Sequence, residues 1–352
     1  MRENRYRLAG VLVIGTTEGV FLAAAGESSR GSDLSSRDVK VLRRTDGHVL
    51  AGTNDGVYRS ADGGRRWQRI GLEGRQVLEL MPAPRDPRTV YAGTVPAALF
   101  RSRDGGASWA EVDSFSRAFD PENLGLPDIP SWPPGARAHT IVVDSTNPRR
   151  CMVGIEVGGV VTTEDDGDTW STVLPGGDPD VHVIVADPLR STTLYASTGF
   201  GRVGRLAEVP EEQRVAGMFS SEDGGQTWRF LWGDMQRQYT RPLCIDPRPP
   251  YAVTVGTAPS ARPYITYRQP GGAKGIVYQS TDRGASWRSI GDADHSPSLA
   301  APLCVVPAPE AAGQVLVGTD QGEVWHVAPD RQKWTLLVGG LPAVQSVLSL
   351  DG

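Results

Sequence analysis

The chain has 352 residues, 39% of them hydrophobic and 22% charged, the balance of a globular protein with enough apolar material for a sizeable core. Its 36 Lys and Arg against 41 Asp and Glu leave a net charge of −5, which argues against nucleic acid or an anionic membrane surface as partner. Cys151, Cys244 and Cys304 are too few and too scattered for a disulfide framework, so a reducing, cytoplasmic setting is expected.

At the start of the chain, Arg2, Arg5 and Arg7 ahead of Leu8 to Ala25 imitate a secretory leader, but Thr16-Thr17-Glu18 breaks the apolar run where a leader would be continuous. The stretch Val13 to Phe21 (VIGTTEGVF) instead matches Leu50 to Tyr58 (LAGTNDGVY) and Leu316 to Trp325 (LVGTDQGEVW), so it belongs to an internal repeat. A second repeated stretch, Ser60 to Trp67, recurs as Ser102 to Trp109, Thr163 to Trp170, Ser221 to Trp228 and Ser280 to Trp287, all fitting Ser/Thr-x-Asp-x-Gly-x-x-Trp. That spacing predicts a hairpin turn. Asp62, Asp104, Asp165, Asp223 and Asp282 accept backbone N–H groups, the Gly takes positive φ, and Trp67, Trp109, Trp170, Trp228 and Trp287 open the return strand and fill an apolar slot.

Four short strands per unit, with turn signals between them, predict an all-β, seven-bladed β-propeller of four-stranded antiparallel blades in a single domain. The expected blades are residues 9–36 with 343–350, then 38–70, 76–112, 138–173, 181–231, 241–290 and 300–337. Blade one has too few preceding residues for an inner strand of its own. Val344 to Leu350, which alternates like the inner strands, is therefore expected to complete it and close the ring. Blades one and seven lack the turn, of which Asp330 and Trp334 keep a remnant.

The repeated octapeptide resembles the Asp-box, or BNR repeat, of sialidases and of non-enzymatic propellers such as sortilin ectodomains and the photosystem II assembly factor. The resemblance implies the propeller fold over nearly the whole chain and places the turns away from any active site. It transfers no function. Sialidases bind a substrate carboxylate with three arginines, use a Tyr/Glu nucleophile pair and an Asp acid/base, and begin with an Arg-Ile-Pro strand. Here Tyr6-Arg7-Leu8-Ala9 lacks the proline. Arg202, Arg241 and Arg262 could supply the arginines, and Tyr264 or Tyr267 could pair with Glu208 or Glu156, but none stands in a family motif.

Trp67 to Trp109 spans 42 residues, whereas the next three Trp-to-Trp intervals span 61, 58 and 59. The excess falls at about 113–137, 199–215 and 258–274, in connections that emerge on the face opposite the repeated turns. These loops carry Trp132, Arg202, Glu208, Arg262 and Tyr264. Aligning the inner strands on Asp187-Pro188 and Asp246-Pro247 puts His182 and Arg241 at one level, joined by His139 and Lys40. This arc of Lys40, His139, His182 and Arg241 would draw an anion to the channel mouth. The same side chains also suit hydrogen bonds between blades.

The leading expectation is a cytoplasmic binding or assembly propeller that holds a protein partner or an anionic or carbohydrate-like small ligand on the long-loop face. Ligand-binding candidates are Lys40, Trp132, His139, His182, Arg202, Arg241, Arg262 and Tyr264. The alternative is an enzyme on the same face, a sialidase-like glycoside hydrolase or a His-dependent lyase, with catalytic candidates His139, His182, Glu208 and Tyr264. No cofactor is expected, since Gly158-Gly159 and Gly271-Gly272 precede no helix that could cap a phosphate. A divalent metal, if one binds, would use His139, His182 and His295.

Overall fold

In the computed structural model of the protein, residues 10–24, 29–118, 135–178, 180–199, 217–231, 235, 239–258, 272–330 and 332–350 are described. They form seven four-stranded antiparallel sheets arranged as a propeller. The inner strands are Val344–Ser349, Val39–Thr45, Gln76–Ala83, Arg137–Val143, Val181–Asp187, Tyr239–Ile245 and Pro302–Pro307, for blades one to seven in turn. In blade one the innermost position belongs to the C-terminal strand, which pairs with Val11–Thr16 and closes the ring as the sequence predicts. The segment that imitated a leader is the hairpin of Val11–Thr16 with Gly19–Ala24.

The apolar core lies in the wedges between blades. Leu50 and Val57 of blade two pack with Leu80, Val90 and Phe100 of blade three, and Val142 and Met152 of blade four with Ile184 and Leu194 of blade five. Each such side chain, once removed from water, contributes about 1.5–3 kcal/mol, so the wedges hold the ring together. The turn tryptophans close them: Trp67, Trp109, Trp170, Trp228 and Trp287 each pack into the wedge against the preceding blade.

Within each turn the geometry follows from the residue types. Ser102 Oγ donates to Asp104 Oδ1 at 2.8 Å and accepts the Gly106 N–H at 2.8 Å, while Asp104 Oδ1 accepts the Ser108 N–H at 2.8 Å. Two consecutive residues, not one, take positive φ, and the first of them is not always glycine: Asp166 and Arg283 hold φ of 65° and 60°. The residue before the tryptophan also matters, for Ser108, Thr169, Thr227 and Ser286 hydroxyls donate to the second carboxylate oxygen of the turn. The indole N–H usually donates to the turn glycine carbonyl, as Trp109 does to Gly106 at 3.0 Å. Trp170 instead donates to Ser114 Oγ, in the short helix Asp113–Ala118 that the sequence reading did not anticipate. Phe115 of this helix is fully buried, edge-on to Trp170 at 5.2 Å.

Every inner strand carries one extra residue relative to its neighbour, at the same level of the ring. Lys40 has no counterpart between Val39↔Thr53 and Val41↔Gly52, and the same interruption falls at Leu78, His139, His182, Leu303 and Gln345. In blade six Arg241 and Pro242 together face the single residue Gly256. A β-bulge of this kind bends the strand and re-aims the unpaired side chain. On the second strand a glycine usually stands at this level, because the next blade's inner strand presses onto it. A Cβ on Gly52 would lie 2.7 Å from Val41 Cγ1 and 2.9 Å from Val77 Cγ1. Blade five has Ser197 there, and its Oγ donates to Arg241 O at 2.9 Å, bridging to blade six.

Two outcomes test this architecture. Gly52→Ala inserts a methyl into that contact and is expected to cost about 1–3 kcal/mol in denaturant unfolding; an unchanged midpoint contradicts the close approach. Hydrogen bonds from the neighbouring Ser, Thr or Arg hold the turn carboxyls of Asp62, Asp104, Asp165 and Asp282 down at about 2, and those of Thr227 overcome burial to do the same for Asp223. Unfolded aspartates titrate at roughly 3.9, so the unfolded chain takes up these protons first. The turns' contribution is present above about pH 4 and is lost as pH falls toward about 2, a decline that melting curves across this range should show and that Asp282→Asn should make shallower.

Candidate functional site

The bulges decide what faces the channel. Lys40, Leu78, His139, Arg241, Leu303 and Gln345, six of the seven bulge residues, line a cavity of about 330 Å³ together with Gln76, Val95 and Arg137. The cavity opens at the N-terminal ends of the inner strands. Those ends lie on the face where the long connections leave the blades, opposite the repeated turns. Among the described residues its lining holds three permanent cations and no carboxylate.

The acidic partners stand behind the cations. Asp38 Oδ2 lies 2.6 Å from Lys40 Nζ, which also donates to Gln345 Oε1 at 3.1 Å, and Gln345 donates in turn to Asp38 Oδ1. Arg137 Nη1 donates to Glu156 Oε1 at 2.9 Å. Arg241 Nη2 lies 3.1 Å from His139 Nε2, a contact in which the guanidinium donates to a neutral ring. Burial, with the Arg241 charge adding to it, pushes the His139 imidazole down to about 3, so the ring is uncharged at neutral pH. Burial acts against the charge of Glu156. The Arg241 guanidinium, with Arg137 adding to it, overcomes burial and holds that carboxyl below the usual carboxylate range. The charge of the wall thus comes from Lys40, Arg137 and Arg241, and His139 adds none at neutral pH.

The structure brings Lys40, His139 and Arg241 into one wall. His182 departs from the expected arc: it is fully buried, with Nδ1 donating to Thr240 O at 2.5 Å and Nε2 accepting from Tyr239 Oη at 2.9 Å. It therefore joins blade five to blade six and does not face the channel. His295 stands in a different cluster, its Nδ1 2.6 Å from Asp292 Oδ1 and its ring stacked on Trp334 at 4.4 Å. Trp132, Arg202, Glu208, Arg262, Tyr264 and Tyr267 lie outside the described residues. The sequence reading missed Arg137, Gln76, Gln345, Leu78 and Leu303. The bulge level was signalled by the Gly-Thr pairs of the second strands, such as Gly52-Thr53 and Gly318-Thr319, whose two partners on the inner strand flank the bulge residue.

No family model matches the chain. It is similar to an oligoxyloglucan-reducing end-specific xyloglucanase of Emericella nidulans, 23% identical in an alignment of 303 residues that covers 77% of this chain and 35% of the enzyme. It is also similar to a xyloglucanase of a Paenibacillus species, 26% identical over 276 residues, 59% of this chain and 26% of the enzyme. The chain thus spans about a third or less of the curated relatives it matches. Among solved structures, the GH74 xyloglucanase of Xanthomonas campestris matches with a TM-score of 0.66 at 18% identity, over 94% of this chain and 53% of that one. YCF48 bound to a D1 peptide matches with a TM-score of 0.53 at 13% identity, over 92% of this chain and 84% of that one. At these identities the structures show the shared propeller fold.

Burial separates the two kinds of mouth residue. His182→Ala opens a buried gap and removes the His182 contacts to Thr240 O and Tyr239 Oη, at an expected cost of about 2–4 kcal/mol. Lys40→Ala, at a half-exposed pair, should cost within about 1 kcal/mol. Urea unfolding of both variants checks this, and equal costs would contradict the placement of His182.

Proposed function

We propose that the protein is a binding propeller whose channel mouth holds a carboxylate-bearing ligand, a small organic acid or the acidic end of a peptide. One observation carries this reading: the described lining of the 330 Å³ cavity offers Lys40, Arg137 and Arg241 and no carboxylate. Guanidinium groups accept a carboxylate through two parallel hydrogen bonds, and a site of this volume sits at the lower end of small-molecule pockets, roughly 300–1,000 Å³. Gln76 and Gln345 add amide groups that can fix orientation, while Leu78, Val95 and Leu303 exclude water from one side. The solved complex of YCF48 with a peptide supports a peptide as one form of ligand for such a propeller.

A second reading is favoured by the similarity to two xyloglucanases, hydrolysis of a neutral polysaccharide on the same face. It needs an acid and a base flanking a bound sugar, roughly 5–9.5 Å apart. Glu156 is held ionised behind the wall, so the acid would come from elsewhere, with Glu208 a candidate on the long loops.

Calorimetric titration with small dicarboxylates, an acidic peptide and xyloglucan oligosaccharides separates the readings. The anion reading expects carboxylate binding that weakens with added salt and drops at least about tenfold in Arg241→Ala, the size of a lost charge-assisted bond. Salt-independent oligosaccharide binding with release of reducing ends, and no response to carboxylates, would replace it with the hydrolase.

A further inference from the structure

Directly behind the cavity wall, Glu156 of blade four and Asp180 and His182 of blade five each bring one donor atom to within 4.8 Å of the others. One oxygen of each carboxylate is not satisfied by the fold. Glu156 Oε2 and Asp180 Oδ1 are buried without a hydrogen-bond partner, and Asp180 is only 8% exposed. Bare carboxylate oxygens in such a place call for a cation or a donor.

The imidazole is oriented for the same purpose. Thr240 O can only accept, so its 2.5 Å contact places a proton on His182 Nδ1. Nε2 then carries the lone pair; it accepts from Tyr239 Oη at 2.9 Å and lies 3.4 Å from Asp180 Oδ1. A backbone carbonyl behind Nδ1 is how proteins present the opposite nitrogen to a metal. Gly199 keeps the space in front clear: its N–H donates to Asp180 O at 2.8 Å, and a Cβ there would overlap Asp180 Oδ2 and lie 2.8 Å from His182 Nε2.

We propose that Glu156 Oε2, Asp180 Oδ1 and His182 Nε2 hold a divalent transition-metal cation of the zinc type, with water in a fourth position. One nitrogen and two oxygens suit zinc, whereas calcium takes about six to eight oxygens. To reach Nε2 the cation displaces the Tyr239 hydroxyl, still protonated, from the lone pair it now occupies at 2.9 Å. It ties blade four to blade five and offsets the charges of Glu156 and Asp180. Arg137 and Arg241 oppose it by like charge, so its affinity is moderate and rises when an anion occupies the mouth. The proposal rests on the buried cluster and stands whether or not the mouth binds carboxylates.

The test strips the full chain with a chelator and titrates it with Zn²⁺ and then Co²⁺. One equivalent of Zn²⁺ is expected to bind and raise the melting temperature, and Co²⁺ to show the visible absorption of a four-coordinate site. Asp180→Asn and Glu156→Gln should each weaken Zn²⁺ binding at least tenfold, and His48→Gln, at a partly exposed histidine that begins a strand of blade two, should leave it unchanged. Sub-stoichiometric Zn²⁺, binding undiminished in both carboxamide variants, or the spectrum of a six-coordinate oxygen site overturns the proposal. The cobalt spectrum of the unmodified chain decides the matter even where a variant fails to fold.

Discussion

A single unpaired residue in each inner strand governs what this ring can present to a ligand. The ladder of a flat strand would alternate its side chains regularly between the two blade interfaces. The bulge breaks that alternation at one level and turns a side chain toward the axis. Because the extra residue has no partner across the ladder, its chemical identity is free of pairing constraints. Lysine, leucine, histidine, arginine and glutamine all occupy equivalent positions in this one ring. The backbone of the propeller and the chemistry of its mouth are in this way separable, which is how a common fold accepts unrelated ligands.

The charges around the mouth are layered. Cations line the cavity, and the carboxylates of Asp38 and Glu156 stand one row behind, each hydrogen-bonded to a lining side chain. Such backing holds Lys40 and Arg137 in place and limits their repulsion for each other, at some cost in attraction for an anion. His139 completes the wall without charge, accepting from Arg241 and setting the direction of its guanidinium.

Much of the fold was legible because its signals are local. Eight residues from Ser60 to Trp67 contain the hydroxyl, the carboxylate, the glycine and the indole that make the turn, and five copies fix the architecture. Ring closure was legible for a similar reason, the alternation of Val344 to Leu350. The site was legible only in part. Aligning the inner strands found Lys40, His139 and Arg241, yet the same alignment cannot tell a bulge residue that reaches the channel from one capped by the next blade. His182 is such a case, because Tyr239 and Thr240 of blade six cover it. Arg137 was passed over because it sits where a long loop becomes a strand, a boundary that composition does not mark.

Closure by the C-terminal strand has a consequence for the order of events during synthesis. Blades two to six can each collapse onto the one before as the chain leaves the ribosome, since domains build from the N-terminus. The ring itself stays open until residues 344–349 have emerged. Gln345, which bridges Lys40 and Asp38 at the mouth, arrives in that last strand. A growing chain therefore acquires most of its core well before it acquires the complete mouth, and a ligand of the mouth would recognise only closed rings.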